Sequence, residues 1–315
     1  MSRLVTIDCD YVMPQVAASY LREEGGEVAF VEANTAHALP RLMAALEKEG
    51  LGPEAVKYVI VTHVHLDHAG GASALMRACP NATLLAHPRA ARHLIDPARL
   101  VASAQKVYGE EAFEALYGTI EAIDPAKVRS LEDGEHVMLG GARLTFLHTR
   151  GHANHHFVVH DELKEVAFTG DAFGLVYPAM QRAKRFAYPS TSPTDFDGPA
   201  AIASVKRVVD LKPRSVALTH FGLFEDVPVI AEQLIRWLEL STQLAEQGMK
   251  SGDELGTLEQ RFKWKLDQEF ELAASRSGLT LTEADRKLIR FDSELNGQGL
   301  AFAAVKQRGD PGRRA

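Results

Sequence analysis

Two cysteines, Cys9 and Cys79, in 315 residues leave no basis for a disulfide framework, and they form no CxxC pair. Both read as small buried hydrophobes. Aromatic residues make up only 7% of the chain, and no stretch reaches the roughly 18 uncharged apolar residues of a membrane-spanning helix. The start, Met1-Ser2-Arg3-Leu4-Val5-Thr6-Ile7-Asp8, has no long apolar segment after its charge. It does not read as a secretory signal, and a cytoplasmic protein is the expectation. Basic charge is in deficit: 35 Lys and Arg against 42 Asp and Glu give −7. That balance speaks against a general nucleic-acid binder and against an anionic-membrane binder. Also missing are a GxSxG elbow, a GxxxxGK[ST] loop and a GxGxxG following a strand, which argues against a serine hydrolase, a nucleotidase and a dinucleotide-dependent dehydrogenase.

What is present is an ordinary globular composition, 46% hydrophobic and 24% charged, with one oddity: 13 histidines. The first 35 residues read as short strands, with a turn at Gly25-Gly26. A helical pattern runs from about His37 to Glu49, and Val56–Thr62 is a nearly unbroken β-branched run that suits a strand covered on both faces. Residues 69–78 and most of 88–120 read as helix. Strand-like runs lie at 82–86, 137–139, 144–147, 156–159, 166–169 and 215–219. A Pro-punctuated loop covers 177–199, with a helix at about 199–210. After Gly222 three amphipathic helices follow. The first carries Val229, Ile230, Leu234, Trp237, Leu238, Ser241 and Leu244, and the second Leu255, Leu258, Phe262, Leu266, Phe270 and Ala273. The third carries Leu288, Ile289, Phe291 and Leu295, opened by Thr282 with Asp285 three residues on. Arg308–Arg314 reads as a frayed tail. The organisation is an α/β body over 1–222 and a helical extension over 223–315, a lid or a dimer face.

Directly after the strand ending at Thr62 stands His63-Val64-His65-Leu66-Asp67-His68. In extended backbone His63 and His65 point to one side, and the following turn can bring Asp67 and His68 to face them. With 13 His and 17 Asp in 315 residues, a fixed HxHxDH pattern arises by chance in about one such chain in a thousand. The context repeats: Gly151-His152, Gly170-Asp171 and Thr219-His220 each follow an apolar, strand-like run. The C-terminal ends of strands are where open α/β sheets place their sites.

The order His63, His65, Asp67, His68, then His152, Asp171 and His220 resembles the metallo-β-lactamase fold superfamily, over about residues 3–222. Within it, Thr62–Gly71 (THVHLDHAGG) is most similar to the branches with glyoxalase II, quorum-sensing lactonases and the alkylquinolone-pathway thioesterase. The resemblance implies an αββα sandwich of two mixed sheets with helices outside. It implies that His63, His65 and His152 hold one metal, that Asp67, His68 and His220 hold the other, and that Asp171 bridges them. Two departures stand out. The early Asp-Thr-Gly-like turn is Glu32-Ala33-Asn34-Thr35 here, a position that is usually structural. The lactonases' Tyr soon after the bridging Asp is replaced by Ala172-Phe173-Gly174.

Five imidazoles and two carboxylates suit two divalent ions, zinc foremost, with iron or manganese open. Paired ions about 3.5–4 Å apart acidify a shared water, so hydroxide is available at neutral pH to attack a carbonyl or phosphoryl centre. Asp67 is the candidate for proton transfer. His156, four residues after His152, suits a hydrogen-bonding support role, whereas His155 reads as exposed or structural. His148 could be either, and His37, His87, His93, His136 and His160 read as structural or surface residues. Phe173, Tyr177, Phe186, Tyr188, Phe221 and Phe224 could line an apolar substrate pocket. The leading expectation is a dinuclear metallohydrolase acting on a small ester, thioester, lactone or phosphoester, with a small-molecule substrate, no nucleic-acid partner, no membrane, and a homodimer through the C-terminal helices as an option. Two alternatives belong to other classes: a mononuclear-iron oxidoreductase like the persulfide dioxygenases, and a regulatory binding protein with vestigial activity.

Overall fold

The first apolar runs pair into a sheet. In the computed structural model, which describes residues 2–309, β1 (Ser2–Asp8), β2 (Ala18–Glu24) and β3 (Glu27–Val31) form an antiparallel meander. β4 (Val56–Ile60), β5 (Thr83–Ala86) and β6 (Val128–Ser130) join in parallel, giving the order β1-β2-β3-β4-β5-β6. Parallel neighbours need crossovers. These contain α1 (Leu39–Lys48), α2 (Leu66–Ala69), α3 (Ala72–Ala78), α4 (Pro88–Ile95), α5 (Ala98–Tyr108) and α6 (Glu110–Tyr117). The β-branched run at 56–62 supplies an interior strand, as its pattern predicts: Val56, Val59 and Ile60 are buried.

A second sheet, in the order β12-β11-β10-β9-β8-β7, is built from β7 (His136–Leu139), β8 (Ala142–His148), β9 (Phe157–Asp161), β10 (Val166–Leu175), β11 (Ser215–His220) and β12 (Gly222–Phe224). Phe146, Phe157, Val159 and Phe168 of this sheet share one core with Tyr20, Val31 and Ile60 of the first. On the other face of the first sheet, Phe30, Val59 and Leu84 pack with Leu42, Leu75 and Leu94 from α1, α3 and α4. Cys9 and Cys79 are free and buried, and burial pushes both thiols up to about 11. Among the described residues, no helix is long and apolar enough to cross a membrane.

The chain divides into two units. Residues up to 148, 155–170 and 211–225 form the first. Residues 149–154, 171–210 and 226 onward form the second. The second contains α7 (Gly198–Asp210) and three long helices, α8 (Val227–Ser251), α9 (Leu255–Ser277) and α10 (Glu283–Arg308). The stripe expected for α8 is buried at Ile230, Leu234, Leu238, Ser241 and Leu244, but Val229 faces solvent. α9 buries Leu258, Phe262, Leu266 and Phe270 and leaves Leu255 exposed. α10 opens with the predicted capping box: Thr282 Oγ1 accepts from Asp285 N at 3.2 Å, and Asp285 Oδ2 accepts from Thr282 N at 2.7 Å. It runs well past Leu295, where the buried face beside Asn296 and Leu300 is mostly Gly297, Gly299, Ala301, Ala303 and Ala304, which carry little hydropathy signal. Its expected apolar residue Phe291 is exposed. Arg308 is no part of a frayed tail. Its guanidinium donates to the carbonyls of Met249 at 3.1 Å and Asp253 at 2.6 Å. Residues 310–314 of that expected tail lie outside the described residues.

In the first unit a buried ion pair ties one sheet to the other. Arg22 on β2 donates through Nε to Asp161 on β9 at 2.5 Å, and both side chains are 0% exposed. Asp161 also accepts from the backbone N–H groups of Leu163 and Lys164, each at 3.0 Å. Removing one member of such a pair leaves a buried charge without compensation. Arg22→Met should therefore lower stability by about 3–5 kcal/mol in urea denaturation.

His87 generates a second prediction. It is 5% exposed, its Nδ1 caps α4 by accepting from Arg89 N at 3.0 Å, and its ring lies 4.0 Å from that of His148. Burial first, then His148, His155 and Arg89, push its pKa down to about 3. The folded state thus holds it neutral while an unfolded chain takes up a proton below about 6.5. Its contribution is complete above pH 6.5 and is lost as pH falls toward 3, at up to about 1.4 kcal/mol per pH unit. His87→Asn, which keeps a capping side chain, should flatten the decline of stability between pH 6 and pH 4, as measured by denaturation at several pH values.

Candidate metal centre

β4 delivers the chain into Val61-Thr62-His63, all buried. His65 then starts the single turn of α2, whose N–H groups at His68 and Ala69 bond back to the His65 carbonyl at 3.0 and 2.9 Å. The turn swings Asp67 and His68 round to meet the two earlier histidines. His63 Nε2 lies 2.9 Å from His65 Nδ1, and the rings of His63 and His68 are 4.1 Å apart. The turn is locked onto the segment after β3: Ala33 N donates to His68 O at 2.9 Å, Asn34 Nδ2 to Asp67 O at 2.8 Å, and Gly71 N to Asn34 O at 2.7 Å. A Cβ on Gly71 would stand 2.4 Å from the Ala33 carbonyl oxygen, so the approach needs glycine there. His220, the last residue of β11, joins the same group. Its Nε2 is 3.3 Å from Asp67 Oδ2, which in turn is 3.7 Å from His68 Nε2. One donor atom each from Asp67, His68 and His220 lies within 4.8 Å of the others, an arrangement that could hold an ion.

The first unit thus gathers His63, His65, Asp67, His68 and His220. His152 and Asp171 belong to the second, where His152 Nε2 stands 3.4 Å from Asp171 Oδ2 and both are buried. Asp171 lies within β10 rather than just past a strand; the glycines at 170 and 174, both at positive φ, interrupt the apolar run that the sequence reading follows. The His152 loop is held by Asp197 N donating to Gly151 O at 2.9 Å and Ser204 Oγ to Arg150 O at 2.6 Å.

Hydrogen bonds set the histidine tautomers. His220 Nδ1 lies 2.8 Å from the Val16 carbonyl and His152 Nδ1 3.2 Å from the Ser190 carbonyl, and a carbonyl can only accept. His68 Nδ1 lies 3.1 Å from Glu32 Oε1. The single Thr62 hydroxyl proton goes to Glu32 Oε1 at 2.5 Å, so the Thr62 oxygen accepts from His63 Nδ1 at 3.1 Å. In all four rings Nδ1 carries the proton and Nε2 keeps the lone pair, the arrangement found in metal-ligating imidazoles. The donor set fits a divalent cation.

Sequence reasoning overlooked Glu32. Its carboxylate, 1% exposed, also accepts from Thr62 N and from Thr219 Oγ1, each at 3.3 Å. The available signal was the acidic residue in the turn that replaces Asp-Thr-Gly. His155, expected to be exposed or structural, is half-buried with its ring 6.1 Å from His63 and 5.8 Å from His65. His156 is buried, 4.9 Å from His63 between ring centres. A Cβ on Gly170 would meet both its Nε2 and Thr62 Oγ1, at 2.6 and 2.4 Å. Of the aromatic candidates, Phe173, Tyr177, Phe186 and Tyr188 are buried, and Tyr188 donates to Asp292 at 2.7 Å while its ring packs edge-on to Phe270. Phe221 is half-buried against the core between the sheets, and Phe224 on β12 pairs with Val216 on β11.

The fold and this donor set define a known class. The family described as the metallo-beta-lactamase superfamily matches residues 14–220. The chain is 32% identical over 183 residues to the metallo-beta-lactamase fold-containing protein ST1585 of Sulfurisphaera tokodaii, covering 57% of this chain and 65% of that protein. It is 27% identical over 113 residues to the acyl-coenzyme A thioesterase MBLAC2 of Bos taurus, covering 36% and 39%. These alignments span less than two thirds of either relative's own length. Among solved structures, ST1585 from Sulfolobus tokodaii superposes with a TM-score of 0.65 at 25% identity, covering 94% of this chain and 97% of that one. TTHA1429 from Thermus thermophilus gives 0.64 at 22%, covering 98% and 94%. The chain belongs to the metallo-β-lactamase superfamily, with the α/β layered fold of that family and a helical C-terminal extension.

Because Glu32 orients His68 and, through Thr62, His63, Glu32→Ala should weaken metal retention by about 10–100-fold. Competition against a chelator reads this directly, with circular dichroism confirming that the variant folds.

Proposed function

We propose that the chain is a dinuclear metal-dependent hydrolase. His63, His65 and His152 would hold one ion, Asp67, His68 and His220 the other, with Asp171 shared between them. Zinc is the first choice of ion, with iron and manganese next. The observation that carries this reading is the shared tautomer of His63, His68, His152 and His220, each ring fixed through Nδ1 and presenting Nε2. Such ions, when bound, would supply an acidified water and polarise the carbonyl or phosphoryl group under attack. The chain's own groups then divide the remaining work. Asp67, whose side chain is 24% exposed and thus the wetter of the two carboxylates, would take a proton at the carboxylate oxygen that does not serve the ion and pass it toward solvent. The buried Glu32 network keeps the imidazoles from turning during turnover.

The substrate is a small ester, thioester, lactone or phosphoester. The activity named for the bovine relative favours testing a thioester first, an acyl-coenzyme A among them. Metal-replete protein should turn over at least one class in a panel of the four. His65→Ala and Asp67→Asn should each reduce that rate by roughly a hundredfold or more. A panel without turnover, or His65→Ala retaining the parental rate, refutes the reading.

A further inference from the structure

The second unit carries a cavity of about 450 Å³ that the hydrolytic chemistry does not use. Its size falls in the range of small-molecule sites. The walls come from residues 184–186, one face of α8, and the C-terminal turns of α9. Buried Phe186, half-buried Trp237 and Leu240 supply apolar surface. Four cations stand around it, Lys184, Arg185, Arg236 and Arg276, against one acid, Glu269. In a chain with a net charge of −7 this is a local reversal of sign.

Not all of that charge is available to a ligand. Arg185 is forked onto Asp226, Nε to Oδ2 at 2.7 Å and the second nitrogen to Oδ1 at 2.9 Å. Glu269 is engaged by Lys265 at 2.9 Å. Arg236 meets Glu232 only at 3.5 Å with both largely exposed, a pair that water screens. Lys184 and Arg276 have no ion-pair partner among the described residues. Three cations at the rim of an apolar cavity match a flat ring that carries more than one negative charge. Arg and Lys side chains bind phosphoryl groups through charge-assisted hydrogen bonds, and an indole offers a face to a ring.

We propose that this cavity binds the nucleoside phosphate group, its base against Trp237 and its phosphoryl charges at Lys184, Arg236 and Arg276. Two sources share that chemistry: a free nucleotide, and the nucleotide end of an acyl-coenzyme A substrate, the latter resting on the thioesterase form of the function proposed above. α8 is a wall common to both places. Its Leu234 and Leu238 line the cleft beside His152 and Asp171, while Gln233, Arg236 and Trp237 line this cavity.

The chain has two tryptophans, and Trp264 is 63% exposed away from the cavity lining. In a Trp264→Phe background the fluorescence therefore reports Trp237 alone. Titration with ADP and with adenosine 3′,5′-bisphosphate should give saturable quenching. The Arg236→Glu/Arg276→Glu variant should bind roughly tenfold or more weakly at an unchanged melting temperature, since both residues lie on exposed helix faces. Adenosine alone and inorganic phosphate alone should each bind more weakly than the nucleotide. No saturable change at millimolar nucleotide, or equal binding by the charge-reversed variant, overturns the proposal. Acyl-coenzyme A turnover separates the sources. A KM raised by the charge reversal at unchanged kcat, with ADP competitive, assigns the substrate's nucleotide end. Nucleotide binding with KM unchanged assigns a free nucleotide. Nucleotide binding by a protein without any turnover upholds the site while refuting the hydrolase reading.

Discussion

One buried carboxylate organises the first unit's contribution to the centre. Glu32 follows β3 at a positive φ and receives hydrogen bonds from Thr62 after β4, from His68 on α2 and from Thr219 on β11. A carboxylate taken out of water is costly unless its lone pairs are filled. Those three segments satisfy it only when they sit in their native places. The same bonds that make Glu32 tolerable in the interior therefore fix the orientation of His68 directly and of His63 through the Thr62 hydroxyl.

The surrounding framework follows the same logic of making polar burial conditional on register. Arg22 and Asp161 meet inside a core otherwise formed by Tyr20, Phe146, Phe157 and Phe168. A strand slip of one residue would turn each of them to the wrong face, which ties the relative placement of β2 and β9 to a unique pairing. The Tyr20 hydroxyl, donating to the Leu218 carbonyl at 2.5 Å, ties β2 likewise to β11 two residues ahead of His220.

The HxHxDH segment was legible because local geometry alone brings its members together: period two in extended chain, then one helical turn. His152 and His220 were legible by their position at or just past strand ends, whereas Asp171 was picked out by the apolar run before it although it lies inside β10. Glu32 was visible only as an acidic residue in the turn that replaces Asp-Thr-Gly; its role was not legible, since it lies in partners 30, 36 and 187 residues away. The same holds for His155, whose ring stacks near His63 through a turn that periodicity does not describe. The helices at 227–251 and 255–277 announced themselves by large apolar residues. The second half of α10 did not, because close packing there is achieved with glycine and alanine. β6 and β12, three residues each, are too short to carry any pattern.

The fixed imidazole rings have a consequence for the life history of the protein. A chain that must recruit a cation in order to fold is committed to whichever ion is present at synthesis. Here the rings are held by carbonyls, a hydroxyl and a carboxylate of the chain itself, within a core that forms by apolar burial. On the metallohydrolase reading proposed above, folding and metallation would be separable events, and the occupant would follow the supply of ions in the surroundings more than the history of the molecule.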